Sequence, residues 1–286
     1  MKKWILVVAA VVLTISLAAC NKEVDLGEKG EVYHKVMENT EKLESVHTNI
    51  FIDQLIKEEG AREDMQMRTG SEVSLVRKPF GMHMVFEIDS GLGEDEAVKE
   101  ESYITEDGAY VRNNETAWEH NNLPPETLEL LSKGNVNTSI DLSFFEQFLE
   151  RFNFTEEEDG TYLFSLVMNG DKKDEREVMD QIIVANLQGQ VDPEETNLKD
   201  IIEPEYVRVE IFVDQETLQM THYNLDMKVE LVSSDAPKMH ITQHTEGQLS
   251  EFNAIDEIVV PDEVKEEAAK EAEKEETEEE TEQEEE

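Results

Sequence analysis

Cysteine is almost absent, with one thiol in 286 residues. A single thiol excludes an intrachain disulfide framework and any zinc site built from cysteines. Positive charge is scarce too. Lysine and arginine number 25 against 69 acidic residues, for a net charge of −44. Such a surface repels phosphates, which excludes nucleic acid as a partner, and it offers no basic patch to anionic lipid. Catalytic signatures are missing. The chain has no Gly-x-Ser-x-Gly elbow and no zinc-protease His-Glu pair. Gly91-Leu92-Gly93-Glu94-Asp95-Glu96 lacks the lysine and hydroxyl of a phosphate loop. Carboxylates are so abundant that no pair stands out as acid and base. No enzyme activity and no cofactor are expected. No unit of 20–50 residues recurs, which excludes a solenoid.

The histidines do not suggest a metal. His240 and His244 are four apart, but they fall on a strand pattern, which places them about 13 Å apart at ~3.3 Å per residue. His34, His47, His83, His120 and His222 show no ligand spacing. The acidic clusters Glu94–Glu96 and Glu156–Asp159 lack the alternation and closing glutamate of a calcium loop, so loose cation condensation is expected there.

The N-terminus is informative. Met1-Lys2-Lys3 is positive, and Trp4 to Leu17 is apolar except for Thr14 and Ser16. No acidic residue precedes Glu23. Residues 1–19 therefore read as a secretory signal. Its apolar run of about fourteen residues is short for a ~30 Å hydrocarbon core. Leu17-Ala18-Ala19-Cys20 resembles the lipobox of bacterial lipoproteins. That resemblance implies cleavage between Ala19 and Cys20 and diacylglycerol on the Cys20 thiol. Two acyl chains, at about 0.8 kcal/mol per buried CH₂, anchor a protein where one holds only marginally. The expected place is the extracytoplasmic face of a cell membrane. Residues 20–30 read as the tether.

The opposite end is a different polymer. Asp262 to Glu286 carries 15 acidic residues and 3 lysines, a net of −12, and no aromatic. Residues 262–286 are expected to be a disordered acidic tail, apart from a frayed helix over Val264 to Lys274. Its role is solubilising or partner-binding.

Between these ends, residues 31–261 form one domain. Val32, Val36, Thr40 and Leu43 make one stripe of a helix over 31–44. Ile50 and Ile52, then Val73 and Leu75, then Met82, Met84, Phe86 and Ile88 alternate as strands do. Tyr103-Ile104-Thr105 and Ala109-Tyr110-Val111 flank the hairpin turn Glu106-Asp107-Gly108. Helices are expected from Pro124-Pro125 to Leu131, over the phenylalanine-rich stretch Leu142 to Phe152 with Ser143 and Glu146 as a capping box, and over Val178 to Ala185 with a stop near Gly189. Tyr162 to Met168, Val207 to Val213, Leu225 to Leu231 and a segment beginning at Met239 read as strands. One-sided strands with short turns build an antiparallel sheet with one wet face. The fold class is α+β: a strongly curved antiparallel sheet, an open half-barrel, covered on its concave face by helices.

Three stretches resemble a group of Gram-positive lipoproteins with a LolA/LppX-like half-barrel. They are Tyr33-His34-Lys35-Val36-Met37 with Leu43-Glu44-Ser45-Val46, Tyr103 to Val111 with Ala117-Trp118, and Phe252-Asn253 with Ile258-Val259-Val260-Pro261. The resemblance implies a bent sheet plugged by helices, and in better-known relatives that cavity carries a lipid or acyl chain. The expected function is a non-enzymatic, membrane-anchored binding domain for an apolar ligand. The alternative is an envelope scaffold or sensor with a packed core, acting through protein contacts. Met65, Met67, Met82, Met84, Met227 and Met239 lie in strand-like segments and suit either an adaptable cavity or a filled core. A Cys20→Ala variant should lose both metabolic fatty-acid label and membrane association. Label retained by the variant overturns the anchor.

Overall fold

Strands that alternate apolar and polar residues must bury one face and wet the other. The computed structural model describes residues 26–91, 97–114, 116–133, 140–187, 201–233 and 237–285. Within them, eleven strands form one antiparallel sheet in the order β6-β5-β4-β3-β2-β1-β11-β10-β9-β8-β7. The strands are β1 (Ser45–Glu58), β2 (Met65–Arg77), β3 (Phe80–Asp89), β4 (Val98–Thr105), β5 (Gly108–Asn113), β6 (Glu119–Asn121), β7 (Asn153–Glu156), β8 (Thr161–Asn169), β9 (Ile202–Asp214), β10 (Met220–Leu231) and β11 (Met239–Ser250). Two meanders, β1–β6 and β7–β11, are joined side by side where β1 pairs β11 from His47↔Ser250 to Glu58↔Met239. The sheet does not close, and its edges are the short β6 and β7. This is the open half-barrel expected from the pattern.

Five helices accompany it among the described residues: α1 (Gly27–Glu41), α2 (Pro125–Lys133), α3 (Leu142–Glu146), α4 (Lys173–Leu187) and α5 (Asp262–Glu285). The inner face of β8–β10 is sealed. Phe164, Leu166, Met168, Val207, Val209, Ile211, Leu225, Met227 and Val229 are all buried. Helix α4 lays Val178, Met179, Ile182, Ile183 and Leu187 into the same core. Helix α1 adds Val32, Tyr33 and Val36. Each such large side chain contributes roughly 1.5–3 kcal/mol when removed from water. Tyr33 is also a polar clamp: its ring meets Phe164 edge-on at 5.4 Å, and its hydroxyl donates to the Leu142 carbonyl at 2.8 Å.

Some boundaries differ from the sequence reading. Helix α1 begins at Gly27, inside the segment read as tether. The phenylalanine-rich stretch is not one helix but α3 followed by a 3-10 turn, Leu149–Arg151. Phe152 is already extended, because β7 starts at the next residue. The cap is Asp141 rather than Ser143. Its carboxylate accepts from the backbone N–H of Ser143 at 2.9 Å and of Phe144 at 3.3 Å; Ser143 already lies inside the helix, and its own N–H is one of the donors that need a cap. Ala185 is exposed, not part of the buried stripe of α4. Gly189 lies outside the described residues.

The acidic C-terminal segment also differs. Helix occupies Asp262–Glu285, and its first turns are packed rather than frayed. Val264 and Ala268 are buried with Val260 against Tyr110 and Trp118, on the outer face of the sheet. That face is held by a network on β3–β5. His83 stacks on Tyr103 at 4.2 Å, and Arg112 lies 4.7 Å over the Trp118 ring. Glu101 hydrogen-bonds His83 at 3.1 Å and accepts from Arg112 at 2.6 Å. Burial works against its charge, but those two bonds outweigh it and hold the carboxyl below the usual carboxylate range.

Trp118 is the sole tryptophan after Trp4. A Val264→Asp substitution places a charge in this small core. It should lower stability by about 1–3 kcal/mol and shift Trp118 emission to longer wavelength. Unchanged emission and an unchanged denaturation midpoint refute this packing.

Candidate functional site

Register fixes which side chains share the inner face. Gln54↔Met67, Ile56↔Met65, Val73↔Met84 and Leu75↔Met82 are cross-strand partners across β1, β2 and β3. With Ile50, Ile52, Phe86, Ile88 and Ile104 they continue the apolar inner face toward β4. These side chains are only half-buried, apart from buried Leu75 and Gln54. Under α4 the equivalent positions are closed, with Val207, Val209 and Met227 fully buried. Of the six methionines singled out above, Met227 belongs to the packed core. Met65, Met67, Met82, Met84 and Met239 are half-buried on the inner face.

A cavity of about 250 Å³ sits where the two regimes meet, between α3, α4 and the sheet. Its walls are Ile140, Phe144 and Phe145 from the α3 side, Ala185 and Asn186 from α4, and Tyr223, Leu225 and Thr245 from β10 and β11. Gly247 makes room for the Tyr223 ring that floors it. It pairs with Tyr223, and a Cβ there would stand 2.1 Å from the tyrosine ring. Only glycine lets that ring lie flat across β11. Burial pushes the Tyr223 hydroxyl well above the ordinary phenol range, so it stays protonated.

The polar groups around the cavity are engaged with the protein. Asp141 caps α3 and also accepts from the Ser143 hydroxyl at 2.6 Å. Asn186 donates to the Ile182 carbonyl at 2.8 Å. From the cavity wall a buried ladder runs along the inner face: Gln54 Nε2 donates to Gln243 Oε1 at 2.5 Å, and Gln243 Nε2 donates to Thr245 Oγ1 at 2.9 Å. Among the described residues the one carboxylate on the wall is Asp141. The arrangement offers apolar contact and a few fixed dipoles, which is a binding chemistry.

Residues 28–269 match a family described as one of unknown function, DUF6612. The chain belongs to that family. This DUF6612 protein matches none of the curated proteins. Solved structures similar to it include a DUF1329 family protein from Desulfovibrio piger, at 10% identity over 81% of this chain and 93% of that one, with a TM-score of 0.22. A beta-barrel-like DUF1849 protein from Brucella abortus aligns at 8% identity over 73% and 97%, also at 0.22. The ywiB protein of Bacillus subtilis aligns at 8% over 71% and 93%, at 0.17. Scores this low add nothing to the fold described above.

Ala19, Cys20 and the Glu94–Glu96 cluster lie outside the described residues. No helix among the described residues is long and apolar enough to cross a membrane. His240 and His244 are separate, as the strand spacing requires: His244 meets Asp226 at 2.8 Å, while His240 faces Glu205. The glutamine–threonine ladder and the Tyr223 floor were not singled out from sequence. The signal that could have found them is Gly247 inside an otherwise regular strand, a mark of close approach by a neighbour.

Gln243→Leu should cost about 1–3 kcal/mol, because it strips Gln54 and Thr245 of their buried partner. The Gln54→Leu/Gln243→Leu double variant should recover part of the loss. Urea denaturation of the parent, the Gln54→Leu and Gln243→Leu single variants and the double variant reads the coupling, and strict additivity refutes the ladder.

Proposed function

We propose that this DUF6612 protein is a non-enzymatic, extracytoplasmic lipoprotein of a Gram-positive cell, anchored through Cys20, that shelters an apolar ligand such as a lipid or acyl chain between its sheet and helices. One observation carries this reading. The inner face is sealed by apolar side chains beneath α4, yet on β1–β4 its apolar side chains Ile50, Ile52, Met67, Met82, Met84, Phe86 and Ile104 are only half-buried, between polar positions such as Thr48 and Gln54. The cavity beside Phe144 and Leu225 would hold one part of such a chain, and half-buried Met82, Met84 and Phe86 lie on the same inner face, where flexible thioethers adapt to a guest.

The outer face supports a second reading, a scaffold or sensor acting through protein contacts. A groove of about 440 Å³ there includes Asn49, Phe51, Gly70, Glu72 and Val85, and Phe51 is 42% exposed.

Protein purified from its own membrane should release a lipid on solvent extraction. A fluorescent fatty acid should bind the stripped protein. Ala185→Trp, at the exposed rim, should weaken that binding at least tenfold while the melting temperature holds. A parent protein that neither yields lipid nor binds the probe favours the scaffold. Undiminished probe binding in Ala185→Trp removes the cavity as its place.

A further inference from the structure

A β-bulge changes the outer face at the far end of the sheet. Lys228 pairs with Tyr206, but Val229 pairs with Pro204, so Glu205 is an extra residue on β9. Such a bulge re-aims a side chain out of the regular alternation. The local backbone is built around it: Gly170 donates its N–H to the Glu205 carbonyl at 2.9 Å, and a Cβ on Gly170 would collide with the Pro204 carbonyl. Across the neighbouring strands, Glu230 and His240 are direct partners. One ligand atom from each of Glu205, Glu230 and His240 lies within 4.8 Å of the others.

We infer that Glu205, Glu230 and His240 form a binding site for one zinc-class divalent cation, bridging β9, β10 and β11. The spacing of His240 and Glu205 is that of a loose ion pair, and it also suits co-ligands of one ion. His240 Nδ1 is 3.7 Å from Glu205 Oε1, too long for a hydrogen bond. Two ligands on a tetrahedral ion with bonds of ~2.0–2.1 Å stand about 3.4 Å apart, so a small side-chain adjustment closes the set. Imidazole with carboxylates suits zinc, and three protein ligands leave a fourth position for water or a partner's group. The site opens on a recess of about 580 Å³ lined also by Lys57, Glu58, Glu59 and Lys238. The Lys238 ammonium donates to Glu230 Oε1 and competes with the cation for that oxygen. That competition sets a direction: removing the lysine charge tightens binding. The site is on the opposite face from the cavity and does not depend on what the cavity holds.

Zinc chloride titration by calorimetry tests this on the purified full-length protein in 0.5 M sodium chloride, where loose condensation on acidic surface is screened. One zinc per chain is expected. His240→Ala and Glu205→Gln should each weaken it at least tenfold. His244→Ala, on the same strand and face, should leave it unchanged. Lys238→Gln should bind several-fold tighter, a gain that misfolding cannot mimic. Parent-like titration by His240→Ala, equal loss in His244→Ala, or no gain in Lys238→Gln overturns the site.

Discussion

The pairing of β1 with β11 is the constraint on which the rest depends. These strands lie far apart in sequence, yet they exchange hydrogen bonds over twelve residue positions. Without that seam the two meanders would each be a separate sheet with a long exposed edge. With it, both inner faces become one surface. The seam also carries the buried contact between Gln54 and Gln243, flanked on the inner face by Ile56 and Ile241 on one side and by Ile52 and Thr245 on the other. A buried amide pair tolerates few alternatives, and a one-residue slip would turn each glutamine to the other face.

The two halves of the sheet then take different covers. On β8–β10 the helices lie against the inner face, and valine, isoleucine and methionine fill it to near-complete burial. On β5 and β6 the C-terminal helix lies against the outer face, through Val264 and Ala268 on Tyr110 and Trp118. One continuous sheet thus packs on opposite sides at its two ends. The inner face between them is left as the adaptable part of the molecule, and the cavity sits at the transition.

Legibility followed local periodicity. Val207 to Val213 and Leu225 to Leu231 alternate without interruption, and both were read correctly as strands. The stripe of α4 was visible for the same reason, except at Ala185, whose small apolar side chain fits either face. The strands β1 and β2 are longer than the alternation suggested, because inner positions Thr48, Gln54, Thr69 and Ser71 are polar and mask the period. The packed start of α5 was hidden for another reason. Among the described residues of this helix Val264 and Ala268 are the buried ones, and their partner Trp118 is remote in sequence. The Glu205 cluster depends on a bulge, and a register shift leaves no mark in composition or periodicity.

The two ends of the sheet stop in very short strands, Glu119–Asn121 and Asn153–Glu156. Helix α5 packs beside the first, and the second ends on a glutamate. Neither presents a long row of unpaired amides, and both carry negative charge that repels another copy. Molecules of this kind can therefore crowd together at high local density without zipping into fibres.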